Sequence, residues 1–346
     1  MKKRKGNVEL RKQIRHAKKV RRRKNWLAAR NYQRNKLKKH KYKSPKLKYT
    51  PPKRETVKVP IDFSLLSNKE AVLEFFNFCK LLNKKDCQVV HFSFDEVENI
   101  GSGSMTILLS ICGWLNDQKI SVSGSYPKND AARDFLERSG FLRYFRAKIK
   151  KQNQDSNNAI LERGLDQTAA RTTAKQVRLS MKTVWGEEFR NTKLQGMLIE
   201  LMANTVNHAY KQHKYQKGWY FSITHEPEKN VVKFCFVDNG RGILNTIKIR
   251  FQDTFAKVFG DLDDALILEQ AFDGKFGSRT RLSYRGRGLP VIRKNHSQSI
   301  IKNLKVISNN VFLDFETGEA HILKENFEGT FYYWELDKTC ISWNLK

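Results

Sequence analysis

The sequence predicts a layered α/β protein, with two successive blocks of strand and helix behind a strongly basic arm. Between residues 57 and 148, β-rich runs alternate with stretches of helical apolar spacing, the pattern of a sheet covered by helices. Beyond residue 171, helices lead into a series of β-rich runs, which points to an α+β sandwich. Charge sets the arm apart. The 346 residues hold 66 Lys+Arg against 35 Asp+Glu, a formal net charge of +31. Residues 1–54 carry 24 basic groups and one acid, Glu9, for a net of +23. The other 292 residues carry 42 basic and 34 acidic groups, a net of only +8.

Asn7 to His40 contains no proline and mostly good or neutral helix formers, so the arm (1–54) is expected to be helical or disordered. Its apolar residues are too sparse for a core, and its charge repels itself until a polyanion neutralises it. Pro45, Pro51 and Pro52 end any helix. The first block (55–148) follows with a strand at Val57–Phe63, a helix at Ser67–Leu82 and a strand at Gln88–Phe94. An apolar helix from Ser104 to Leu115, a strand at Lys119–Ser123 and a helix at Asn129–Phe145 complete it. Residues 149–170 are polar and read as a linker or long surface loop. The second block (171–346) opens with helices at Ala174–Met181 and Leu194–Gln212, then strands at Trp219–His225 and Val231–Val237. A glycine-bearing turn, more helix and a Gly/Arg-rich loop lead to terminal strands at Asn303–Ser308, Val311–Phe315, His321–Leu323 and Gly329–Leu336.

An apolar content of 39% and a mean hydropathy of −0.64 exclude a polytopic membrane protein. The five cysteines are an odd number, widely spaced and without a Cys-x-x-Cys pair, which argues against a disulfide framework or a cysteine zinc site. No apolar signal core follows the basic N-terminus. A cytoplasmic location and no transmembrane segment are the expectations.

Three segments of the second block carry chemistry. On a helix, Glu200, Asn204 and His208 fall at i, i+4 and i+8 and share one stripe. An amide oxygen suits Mg²⁺, and a carboxylate one turn away can orient or deprotonate water. An ordinary polar helix face explains the same spacing. In Phe234-Cys235-Phe236-Val237-Asp238-Asn239-Gly240-Arg241-Gly242, a buried strand ends on an acid and a turn with two glycines. The acid can accept a hydrogen bond from an exocyclic amine, and the glycines permit close ligand approach. A plain hairpin is the alternative. In Ser283-Tyr284-Arg285-Gly286-Arg287-Gly288-Leu289, guanidinium groups and backbone N–H groups can surround phosphate at a helix start. A flexible basic loop is the simpler account.

In order and separation these segments resemble the Asn box, the Asp-x-Gly-x-Gly box and the Gly-x-Gly lid of the GHKL ATPase superfamily. Gly329-Thr330 resembles its late Gly-Thr element. The resemblance covers about residues 171–337 and implies a Bergerat-type domain with a mixed sheet covered by helices. It further implies ATP and Mg²⁺ as cofactors, with Asn204 on the metal and Glu200 placing or activating water. Asp238 would hold adenine with help from Thr330, while Gly240, Gly242, Gly286, Gly288 and Leu289 would shape the phosphate pocket and lid. Arg285 and Arg287 join that group on charge and position. Tyr284 departs from the family pattern, standing where another glycine is common.

Val89 to Gly103, the apolar helix behind it and Arg133–Phe141 resemble, more loosely, a STAS-type domain of the anti-sigma-factor antagonist class. That likeness implies a protein partner for this block. Gly101 replaces the acid of the family's phosphoserine turn, and Ser102 or Ser104 serves equally as a helix N-cap. Three functions follow as expectations: an ATP hydrolase or ATP-gated switch, a protein serine kinase, or a nucleic-acid-binding protein with a non-catalytic nucleotide site. The arm, with Trp26, Tyr32, Tyr42 and Tyr49 among its basic residues, is expected to dock on DNA or RNA, an acidic membrane or protein being the competing reading. Nucleotide-linked homodimerisation is the remaining expectation from the family.

Overall fold

The structure, a computed structural model, describes residues 18–28, 30–31, 51–144, 159–164, 169–208, 218–252, 254, 262–276 and 288–341. The chain divides into two compact units, Met1–Pro51 and Pro52–Lys346. In the first, residues 18–28 form helix α1, with residues 30 and 31 also helical, and the described side chains are exposed. No apolar stripe gives this helix a core. Arg30 instead lays its guanidinium 5.1 Å from the centre of the Trp26 ring, one turn back.

The second unit begins with strand β1 (Arg54–Lys58), a short strand β2 (Asp62–Phe63) and helix α2 (Lys69–Leu81). Strand β3 (Val89–Ser93), the short strand β4 (Asn99–Ile100), helix α3 (Ser102–Asp117), strand β5 (Ser121–Gly124) and helix α4 (Asp130–Arg138) follow. Strands β1, β3 and β5 form a parallel sheet in that order, and β2 pairs with β4 beside it. Helix α4 ends near Ser139-Gly140, where Gly140 takes φ +77, so the helix expected to reach Phe145 gives way to a 3-10 turn at Phe141–Tyr144. Parallel sheets are usually buried on both faces. Here Val90 and Phe92 face the core, while Thr56, His91 and Ser123 stand in register on a side that remains partly open.

The remaining elements are β6 (Ala159–Gly164), α5 (Ala170–Trp185), α6 (Thr192–His208), β7 (Trp219–Glu226) and β8 (Val231–Asp238). Helices α7 (Ile243–Arg250), α8 (Asp264–Phe272) and α9 (Gly288–Ser297) precede the long hairpin of β9 (Lys302–Asp314) and β10 (Glu319–Leu336). The five strands form one sheet, ordered β6-β7-β8-β10-β9. Every pairing in it is antiparallel, so the mixed sheet expected from the family resemblance is not found. Tight connections explain this, because short turns join β7 to β8 and β9 to β10, and short connections favour antiparallel neighbours. Strand β6 lies within the stretch read as a linker and pairs with β7 at the sheet edge.

Both faces of this sheet are covered, and the strand sequences show it. In β8, Phe234 and Phe236 enter a core formed with α5, α6, α8 and α9. Cys235 and Val237, pointing the other way, enter the core of α2 and α3. Helix α3 is apolar almost all round because the five-stranded sheet covers one side and α2 and β5 the other. A stripe of small residues lets it approach the sheet closely. A Cβ on Gly103 would lie 2.8 Å from Phe331, one on Gly113 would lie 2.1 Å from the Tyr220 hydroxyl, and Thr106 Oγ1 bonds Ser222 Oγ at 2.5 Å. All five cysteines are buried and free. Among the described residues, no helix is long and apolar enough to cross a membrane.

Candidate functional site

Strand register brings four side chains into one row. Trp219 of β7 lies opposite Asp238 of β8, Asp238 opposite Thr330 of β10, and Thr330 opposite Ser308 of β9. Alternation puts this row on the same face as Phe234 and Phe236, the face covered by α6 and α9. Asp238 is the last residue of its strand and stays partly accessible. Its Oδ1 accepts the Gly240 N–H at 2.8 Å. Burial pushes its carboxyl up to about 6, while hydrogen bonds from Gly240 and Thr330 pull in the opposite direction. Gly329 is required next to Thr330. Its φ is +143, and a Cβ there would come within 2.1 Å of the Asp238 carbonyl oxygen.

The turn after Asp238 is anchored on two sides. Asn239 is buried, donates its backbone N–H to Gly218 O at 3.3 Å and reaches Ser110 O of α3 with Nδ2 at 3.5 Å. Its Oδ1 is buried without a hydrogen bond. On the other side, Gly242 precedes α7 with φ +80. The first amides of α7 are already occupied: Ile243 N–H donates to Ser308 Oγ at 2.7 Å and Asn245 N–H to Asn309 Oδ1 at 3.2 Å. A Cβ on Gly242 would meet Asn309 Oδ1 at 2.3 Å. Close packing against Asn309 therefore accounts for this glycine, beside the phosphate role that the resemblance assigns to it.

The other group forms where α6 crosses α9. Glu200 and Asn204 lie on the α6 stripe, both partly exposed. A Cβ on Gly288 would sit 2.4 Å from Asn204 Nδ2, so the Asn204 amide and Gly288 are neighbours. Toward the α6 N-terminus the two helices enclose a groove of about 460 Å³, lined by Lys193, Gly196, Glu200, Lys294 and Asn295 among others. Leu289 packs on the core of this face. Arg285, Gly286 and Arg287 lie outside the described residues, as does the side chain of His208. Among the described residues no three His, Cys, Asp or Glu side chains converge as a metal cluster. Asn204 nonetheless fits a Mg²⁺ whose other ligands are phosphate and water oxygens, since such an ion needs few protein ligands.

In the parallel-sheet half neither serine caps α3, whose N-cap is Gly101 without a side-chain bond. Ser104 is fully buried and its Oγ accepts the Leu65 N–H at 2.7 Å. Ser102 is half-buried beside Cys235, 3.8 Å away. Three residues of the second-half site escaped sequence reasoning: Trp219, Ser308 and Asn309. The one available signal for the last two was Ser308-Asn309-Asn310, a polar break inside an apolar strand. No protein-family model matches this chain, and no curated protein matches it.

Proposed function

We propose that this protein binds ATP with Mg²⁺ at the face of the five-stranded sheet covered by α6 and α9, hydrolyses it, and docks on nucleic acid through its basic arm. The observation that supports this most is the Asp238–Thr330 pair at the end of β8, set against the Gly240 turn. A carboxylate and a hydroxyl side by side at a strand end accept and relay hydrogen bonds to the edge of an amino-bearing base. Asn204 would hold the ion, which when bound supplies positive charge against the phosphates. Glu200, one turn away, orients a water molecule or takes its proton. Because the charged carboxylate of Asp238 is a stronger acceptor for an amino group than the neutral acid, affinity is expected to fall as pH drops through about 6.

The arm enters through charge. Its lysines and arginines release counterions on binding a polyanion, and Trp26 backed by Arg30 offers a stacking face. A protein partner of the first half would meet the open side of the parallel sheet around Thr56, His91 and Ser123. Incubation with γ-labelled ATP and Mg²⁺ tests the catalytic reading: free phosphate supports hydrolysis, and protein-bound label supports serine phosphotransfer instead. Asp238→Asn is expected to abolish nucleotide binding. Glu200→Ala is expected to keep binding and lose turnover by at least about 100-fold, and unaltered turnover would remove Glu200 as the base.

A further inference from the structure

Asn309 is 3% exposed, sits in the middle of β9 and takes a left-handed φ of +56. Its amide spends both kinds of hydrogen-bonding capacity on a segment far back in the chain. Oδ1 accepts the Asn245 N–H at 3.2 Å, and Nδ2 donates to the Arg241 carbonyl oxygen at 3.0 Å. Its neighbour Ser308, fully buried, accepts the Ile243 N–H at 2.7 Å. The two residues thus grip the chain on either side of Gly242, which has no Cβ to hold them off.

We propose that Asn309 is a positioning residue, clamping the Asp238–Gly242 turn to β9 so that the Asp238 carboxylate is fixed for its ligand. The path is short. Gly240 N–H holds Asp238 Oδ1, Arg241 is the next residue, and Asn309 fixes the Arg241 carbonyl. Asparagine suits this position because one amide supplies a donor and an acceptor, and because it tolerates positive φ better than most residues. Strand β10 lies between β8 and β9, so the clamp reaches across the row that contains Thr330. The bound nucleotide in this inference rests on the function proposed above; the clamp itself does not.

The test uses the full chain and two variants. Asn309→Gly keeps the left-handed backbone and removes both side-chain bonds. Asn309→Asp keeps the acceptor for Asn245 and loses the donor to Arg241. Trypsin reads the clamp without any ligand, since Arg241 lies within the turn. Titration with trinitrophenyl-ATP and Mg²⁺ reads its effect on binding, and thermal melting followed by circular dichroism reads global stability. Well below the melting midpoint, Asn309→Gly is expected to be cleaved after Arg241 about tenfold faster and to bind the analogue about tenfold more weakly, with Asn309→Asp between it and the parent. A lower melting midpoint alone, with cleavage and affinity unchanged in the folded protein, overturns the proposal. A parent chain that binds no analogue counts against the nucleotide reading only, because cleavage at Arg241 still decides the clamp.

Discussion

At neutral pH Asp238 carries its charge in surroundings that resist it, and the consequence for stability can be worked out. Burial pushes its folded carboxyl from the usual 3.8 up to about 6. Between those values the folded state binds more protons than the unfolded state, so stability falls as pH rises through this window. The penalty is complete above about pH 6 and absent below about pH 4. With the carboxylate partly open to water, it is of order 1 kcal/mol. Asp238→Asn keeps an oxygen for the Gly240 N–H and removes the penalty. The variant is therefore expected to melt higher than the parent at pH 8, the gap closing by pH 4, while nucleotide binding is lost. Melting curves at both pH values check the sign. A variant less stable at pH 8 would show that the carboxylate is held by partners stronger than Gly240 and Thr330.

Helix α3 shows how much of an element its sequence can disclose. Its apolar character is plain from Met105 to Leu115, though the helix runs from Ser102 to Asp117, two residues beyond the expected Ser104–Leu115 at each end. The reason for its small residues is not plain, because Phe331 and Tyr220 come from strands more than a hundred residues later. Gly103→Ala would push a methyl group to 2.8 Å from the buried Phe331 ring. That change is expected to cost about 1–3 kcal/mol, seen as a lower urea midpoint at unchanged slope; full stability would mean that α3 slides freely over the sheet. The same limit explains the other differences. Strand β6 is six residues beside the polar run Lys150–Asn158, and short edge strands give little periodic signal. The two strands expected at Asn303–Ser308 and Val311–Phe315 correspond to the two halves of β9, because the chain turns back on itself near Asn309 and brings the Phe315 N–H to the Leu304 carbonyl at 2.9 Å. The local motifs at Asp238, Asn204 and Gly329-Thr330 were readable as short patterns. The clamp by Asn309 was not, since it spans 64 and 68 residues without any repeat.

The two units differ in charge and in packing. In Pro52–Lys346 the parallel-sheet half and the five-stranded sheet share one apolar core, from Val57 and Phe76 through to Phe327 and Phe331. Contacts such as Asn77 Nδ2 to Glu325 at 2.6 Å add polar ties between the same halves. The Asp238 turn is tied to the helix that both halves share, since Asn239 Nδ2 donates to Ser110 O of α3 at 3.5 Å. In Met1–Pro51 the described residues 18–28, 30 and 31 are exposed, and this unit holds most of the excess positive charge. Removing residues 1–51 is accordingly expected to leave the melting midpoint and nucleotide affinity of the remainder unchanged. Binding to a labelled oligonucleotide is expected to fall at least about tenfold at 0.1 M salt, and its dependence on salt to flatten, because fewer counterions are released. Equal affinity and an equal salt slope after the deletion would move the polyanion site onto the second unit. There the near balance of charge makes a strong non-specific field hard to build, since 42 basic groups face 34 acids beyond residue 54.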